Sequence, residues 1–247
     1  TEDLKLHESG LVAGAPRFGK TTFLETLFYV PAMFNSPEDL QFIIIDPKED
    51  VSDWKYYKLQ QVVCFEDGKS NSGVVNYERC IRLLRKIVHE EGSRRKKIIG
   101  EHGLVNIWDF KKKYPDIVMH IIYVIIDEVV NIADNLGDAK KEFDKYIREL
   151  VTKLPAVGIR ILVVPHVTKQ QFLDKTIRDV MRIKISLGGD VEQIKNTLIC
   201  DKFERPLLSA GDMAVRFGNT KPFYAKSCML AKSNEDVSVL CDFNKRV

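Results

Sequence analysis

The chain has 247 residues with 38 basic and 35 acidic side chains, a formal net charge of +3, and 45% hydrophobic residues. That length suits one large α/β domain with a sheet buried on both faces, so residues 1–247 are read as a single domain. The near-neutral charge excludes attraction to nucleic acid by overall charge and leaves only local basic patches for such contact.

In chain order, residues 9–13 form a short apolar strand. It runs into Gly14, Ala15, Pro16, Arg17, Phe18, Gly19, Lys20 and Thr21, a complete GxxxxGK(S/T) loop. Glycines at that spacing let backbone N–H groups turn inward to cradle a β-phosphate, and the lysine reaches the β/γ oxygens. Thr21 is the expected Mg²⁺ ligand on the loop. From Thr22 onward a helix is expected, its positive N-terminus aimed at the phosphates. Residues 41–46 make a second, nearly all apolar strand, and residues 76–97 and 138–153 read as helices. Between them residues 121–128 give a third strand ending in Asp127-Glu128. A buried strand holds carboxylates rigidly at its end, so Asp127 is expected in the Mg²⁺ shell and Glu128 as the group that polarises an attacking water.

The basic stretch Arg79, Arg82, Arg85, Lys86, Arg94, Arg95, Lys96 and Lys97 is open to three readings: a solvated helix face, contacts to a phosphate backbone, or an arginine given in trans to a neighbour's γ-phosphate. Arg94 and Arg95 are the preferred arginines for the last, with Arg79 and Arg160 as alternatives. Residues 159–164 form a fourth strand followed by His166, placed to sense a γ-phosphate or simply to cap a strand end. Residues 181–186 look like a fifth strand and residues 212–231 like an edge hairpin. Buried apolar strands alternating with helices predict a P-loop, RecA-like fold: a mostly parallel sheet with helices on both faces.

Five cysteines, at positions 64, 80, 200, 228 and 241, show no CxxC spacing, which speaks for reduced thiols over zinc or disulfides. The apolar run 117–126 is broken by His120 and is shorter than the about 20 residues of a bilayer span. No membrane contact is expected of this stretch.

Four segments together resemble the motor domain of the FtsK/SpoIIIE family of hexameric DNA translocases. They are residues 11–21; residues 43–48, ending Asp-Pro-Lys, with 51–54; residues 94–107 with 124–128; and residues 158–163 with Gly211-Asp212-Met213. The resemblance implies ATP and Mg²⁺ as cofactors, double-stranded DNA as cargo and a hexameric ring of copies. It also implies a cytoplasmic domain excised from a longer, inner-membrane-anchored protein. Val164-Pro165-His166 replaces the family's usual Ala-Thr-Gln, and Arg17-Phe18 replaces its usual small pair. These departures point towards divergent relatives, the coupling proteins of conjugation machinery or the ATPases of type VII secretion machinery. A slow nucleotide-dependent assembly switch is the remaining alternative.

Overall fold

In a computed structural model, which describes residues 9–46, 59–63, 77–165 and 175–227, the apolar runs are neighbouring strands of one sheet. Strands β1 (Gly10–Gly14), β2 (Leu40–Ile45), β3 (Ile121–Asp127), β4 (Ile159–Val164) and β5 (Ile183–Leu187) pair in parallel. Strands β6 (Asp212–Phe217) and β7 (Phe223–Lys226) extend the sheet antiparallel, so the expected edge hairpin is present over those residues. The order of the seven strands is β2-β3-β4-β1-β5-β6-β7. Every residue of β4 and all but Tyr123 of β3 are buried. Burial on both faces is why these runs are unbroken Ile, Val and Leu instead of an alternation.

Helix α1 (Lys20–Phe34) follows β1 and buries Phe23, Leu24, Phe28, Tyr29 and Ala32. Phe28 meets Phe42 of β2 edge to face at 5.0 Å, a contact worth about 0.5–1.5 kcal/mol beyond its area. Pro31 cannot donate within the helix. Near its end, buried Gln61 donates to the carbonyls of Ala32 and Asn35 at 3.2 and 2.9 Å. Helices α2 (Tyr77–Arg85) and α3 (Gly92–Glu101) are joined by a π-helical stretch, Lys86–Glu91, and cover the expected helix over 76–97. Next come α4 (Ile107–Lys113), α5 (Val129–Asn135) and α6 (Lys140–Thr152).

Four helices are not expected from the sequence: α4, α5 and the two that complete the fold, α7 (Lys175–Val180) and α8 (Val191–Leu198). The last begins on a capping box: Asp190 Oδ1 accepts from the Gln193 N–H at 2.8 Å, and Gln193 Oε1 accepts from the Asp190 N–H at 3.3 Å. The Asp-x-x-Gln spacing is the legible signal for that start. Topology fixes where a ligand can sit. The C-terminal ends of β1 and β3 lie on the same side of the sheet, separated only by β4, and parallel sheets bind ligands outside their carboxyl ends.

Candidate active site

The phosphate loop is held from three sides by backbone bonds. The Ala15 N–H donates to the Leu187 carbonyl at 3.0 Å, the Gly211 N–H donates to the Phe18 carbonyl at 3.2 Å, and the Phe23 N–H donates to the Gly19 carbonyl at 2.9 Å. Arg17 and Gly19 take left-handed backbone, φ 69° and 85°. Residues in that conformation next to right-handed ones form concave nests of N–H groups, and at the helix junction Gly19 adopts it at no steric cost. Ala15 and Phe18 are half-buried, while Pro16 and Arg17 are exposed.

Lys20 opens α1 and is only 8% exposed, with its ammonium 3.2 Å from Asp127 Oδ1 at the end of β3. That same oxygen accepts the Glu128 N–H at 2.9 Å. Glu128 sits at the N-cap of α5 with φ 49° and ψ 37°, 8% exposed. Left-handed backbone at a non-glycine residue costs of order 1–3 kcal/mol and recurs at functional sites. Here it turns the chain immediately beyond Asp127, so two successive carboxylates leave one strand end. Thr21 is exposed in the first turn of α1 and Thr22 is half-buried behind it. The loop and the strand end thus converge through the contact between Lys20 and Asp127. A cation, an inward-turned backbone and carboxylates at that closeness suit a triphosphate with its divalent metal: loop and Lys20 for phosphate oxygens, Thr21 and Asp127 for Mg²⁺.

The other candidate residues are not gathered there. Arg95 is fully buried. It donates from Nε to Glu91 at 2.7 Å, and from Nη1 to the His120 carbonyl at 2.6 Å and the Val157 carbonyl at 3.3 Å. A guanidinium wrapped inside its own subunit cannot reach a neighbour, so the expectation of Arg95 as a trans-acting arginine is withdrawn. Arg160 is withdrawn for the same reason. It is 1% exposed, donates to the Tyr123 hydroxyl at 3.0 Å, and lies over the Trp108 and Tyr123 rings. Arg94 keeps an exposed side chain, paired with Glu91 at 2.7 Å. His166 lies outside the described residues, as do Pro47, Lys48 and residues 51–54; β4 is described as far as Pro165.

Two further residues bear on the site. Gly188 has φ 68°, and a Cβ there would come within 2.1–2.7 Å of Phe18 side-chain atoms. Gly188→Ala would add about 1–2 kcal/mol of left-handed strain and push Phe18 off β5. The expected result is ATP affinity weakened about tenfold, by roughly 1.4 kcal/mol, with a Tm lower by about 2–8 °C; an unchanged Kd would show that Phe18 does not tie the loop down. Gly211 of the Gly-Asp-Met segment supplies the N–H that holds the Phe18 carbonyl.

Comparison with known proteins bears on these features. The family model described as FtsK/SpoIIIE family matches residues 1–171, more than half of the chain. The chain belongs to the FtsK/SpoIIIE family. It is a P-loop ATPase domain of that family, in keeping with the mostly parallel sheet and the phosphate loop. A DNA translocase FtsK of Chlorobaculum tepidum is 24% identical over 213 residues, which are 86% of this chain and 26% of that protein. The chain therefore spans about a quarter of that relative's length.

Among solved structures, the cytoplasmic domain of the Thermomonospora curvata type VII secretion ATPase EccC superposes with a TM-score of 0.77 at 20% identity, over 95% of this chain and 27% of that one. The pCW3 conjugation coupling protein TcpA, in its monomer form with ATPγS, gives 0.73 at 18% identity, over 96% of this chain and 66% of that one. Both likenesses concern the fold. No helix among the described residues is long and apolar enough to cross a membrane.

Proposed function

We propose that this domain hydrolyses ATP to drive double-stranded DNA through a hexameric ring of its copies, in a cytoplasmic position on a membrane-anchored protein. The observation that carries the hydrolysis is the approach of Lys20 to Asp127, with Glu128 next along the chain, at strand ends separated by one strand. Bound Mg²⁺ would supply charge neutralisation at the β- and γ-oxygens. The chain's own residues do the rest. The loop N–H groups and Lys20 orient the phosphates, and Glu128 accepts a hydrogen bond and then the proton from a water that attacks the γ-phosphorus as ADP leaves. Arg94 is the arginine we assign to a neighbour's γ-phosphate, being the exposed member of the pair.

DNA as cargo is supported by the sequence relatives named DNA translocases. The conjugative setting is the finer part of the proposal. It is supported by departures from the chromosome-translocase pattern at Arg17-Phe18 and Val164-Pro165-His166. His166, two residues past β4 in the sequence, is assigned as the γ-phosphate sensor, β4 being the strand between the two halves of the site.

The deciding experiment is steady-state ATP hydrolysis with and without duplex DNA at low and moderate salt, with Lys20→Ala as the blank. Lys20→Ala is expected to lose most ATP binding, and the parent to show DNA stimulation that salt weakens, since phosphate contacts release counterions. Hydrolysis that requires Lys20 but ignores DNA would move the cargo to a secreted protein, as in the relatives named EssC of type VII secretion. Lys20-independent hydrolysis would overturn the site itself.

A further inference from the structure

A polar cavity of about 510 Å³ lies along one face of α8, with Arg178 of α7 also on its wall. Its walls include Glu192, Lys195, Asn196, Ile199 and Cys200, residues at the three- and four-residue spacing of a single helix face that continues just past the helix end, with Arg178 from α7 opposite. The size is that of small-molecule sites, about 300–1,000 Å³.

Two cations behind the cavity are already committed. Lys184 is 3% exposed and donates to the carbonyls of Met181 and Asp179 at the end of α7. Arg216 donates to the Leu198 and Ile199 carbonyls at the end of α8. Each cation satisfies carbonyls left over at a helix C-terminus.

Arg178 is different. It is 8% exposed, its Nε has no hydrogen-bond partner, and no ion pair joins it to a carboxylate among the described residues. A buried guanidinium without an anion is costly, by several kcal/mol before any compensation. The neighbourhood makes matters worse: burial first, then the charge of Arg216, brings the Lys184 ammonium down to about 8, with Asp179 opposing and Arg178 adding to that shift. The two acids of the cavity, Glu192 and Asp201, are exposed, and among the described residues no ion pair joins either to Arg178 or Lys195. Water screens those acids far more than it screens a buried guanidinium.

We propose that this cavity is an oxyanion site, in which Arg178 and Lys195 receive the phosphate or carboxylate head of a small ligand. The planar guanidinium offers a fork of donors matched to either head group, Lys195 adds a point charge on the α8 side, and Asn196 lines the wall between them. The site is separate from the phosphate loop: none of residues 14–21 lines it, and the cavity extends to Asp201 beyond the end of α8. It stands without the ATPase reading.

The test is calorimetric titration of the full chain carrying Lys20→Ala, which weakens the phosphate loop, with inorganic phosphate and separately with acetate. The same titrations are run after adding Arg178→Gln or Arg178→Lys. Saturable binding of at least one anion is expected, weakened tenfold or more by Arg178→Gln and partly regained by Arg178→Lys. Binding of phosphate alone assigns a phosphorylated ligand, and binding of acetate alone a carboxylate. Absence of saturable binding to either, or equal affinity in Arg178→Gln, overturns the proposal. Should Arg178→Gln fail to fold, Lys195→Gln on α8 decides in its place, and affinity unchanged by that substitution overturns it equally.

Discussion

Glu128→Gln is expected to bind ATP as tightly as the parent chain and to turn it over about 10²–10⁴-fold more slowly, the span typical of a lost general base. The substitution keeps shape and removes only the charge and basicity of one oxygen. The Glu128 N–H to Asp127 bond is a backbone donor and survives it. The left-handed backbone at position 128 is no harder for Gln than for Glu, so the strand end should hold its form. ATP contacts through the loop and Lys20 remain, which is why binding and turnover part company. A single-turnover experiment alongside an equilibrium ATP titration reads the two separately. Normal turnover in the Gln variant would transfer the base role elsewhere and leave Glu128 as a capping residue of α5.

The parts of the fold legible in the sequence were those where one local rule acts alone. Buried parallel strands need unbroken apolar runs, so β1 to β4 stood out, and the phosphate loop carries its chemistry in eight consecutive residues. The pair Asp127-Glu128 is a weak signal alone, often a solvated strand end or a helix start, and becomes legible only in combination with the phosphate loop. What was not legible depends on partners distant in sequence. Arg95 and Arg94 are adjacent and chemically identical. Only the fold reveals that one is wrapped by the His120 and Val157 carbonyls while the other keeps a half-exposed side chain. Arg178 likewise carries no sign of its burial in the sequence. Helix α8 is hard to read because its eight residues give only a short apolar period, although Asp190 and Gln193 stand at capping-box spacing.

Glu91→Gln is expected to destabilise the domain by about 1–3 kcal/mol, since it takes the carboxylate from the buried Arg95 guanidinium while Glu91 is itself partly solvated and its Arg94 partner is exposed. Glu91 accepts from Arg94 Nε and Nη2 at 2.8 and 2.7 Å and from Arg95 Nε at 2.7 Å. Burial by itself raises its carboxyl, yet the hydrogen bonds from Arg94 and Arg95 hold it down at about 2, against an ordinary 4.5. A carboxyl lowered on folding adds stability that is fully present above about pH 4.5 and fades as pH falls towards 2. Urea melts of the parent should therefore lose stability through that window, and those of Glu91→Gln should lose less.

The same network separates structure from catalysis. Arg95 braces the carbonyls that precede β3 and β4, and Asp127 lies seven residues along from His120. At about 3.3 Å per residue that is over 20 Å from the hydrolytic carboxylates. Arg95→Met removes a buried charge but strands two carbonyls, at about 1–3 kcal/mol each, and turnover per folded molecule should stay near the parent's. Arg94→Ala, at an exposed pair worth about 0–1 kcal/mol, should barely move the melt. If Arg94 serves a neighbour's γ-phosphate, it should instead cut ATP turnover about 10³–10⁵-fold. A stable Arg94→Ala chain with full turnover would end its candidacy and return the search for the trans-acting arginine to Arg79.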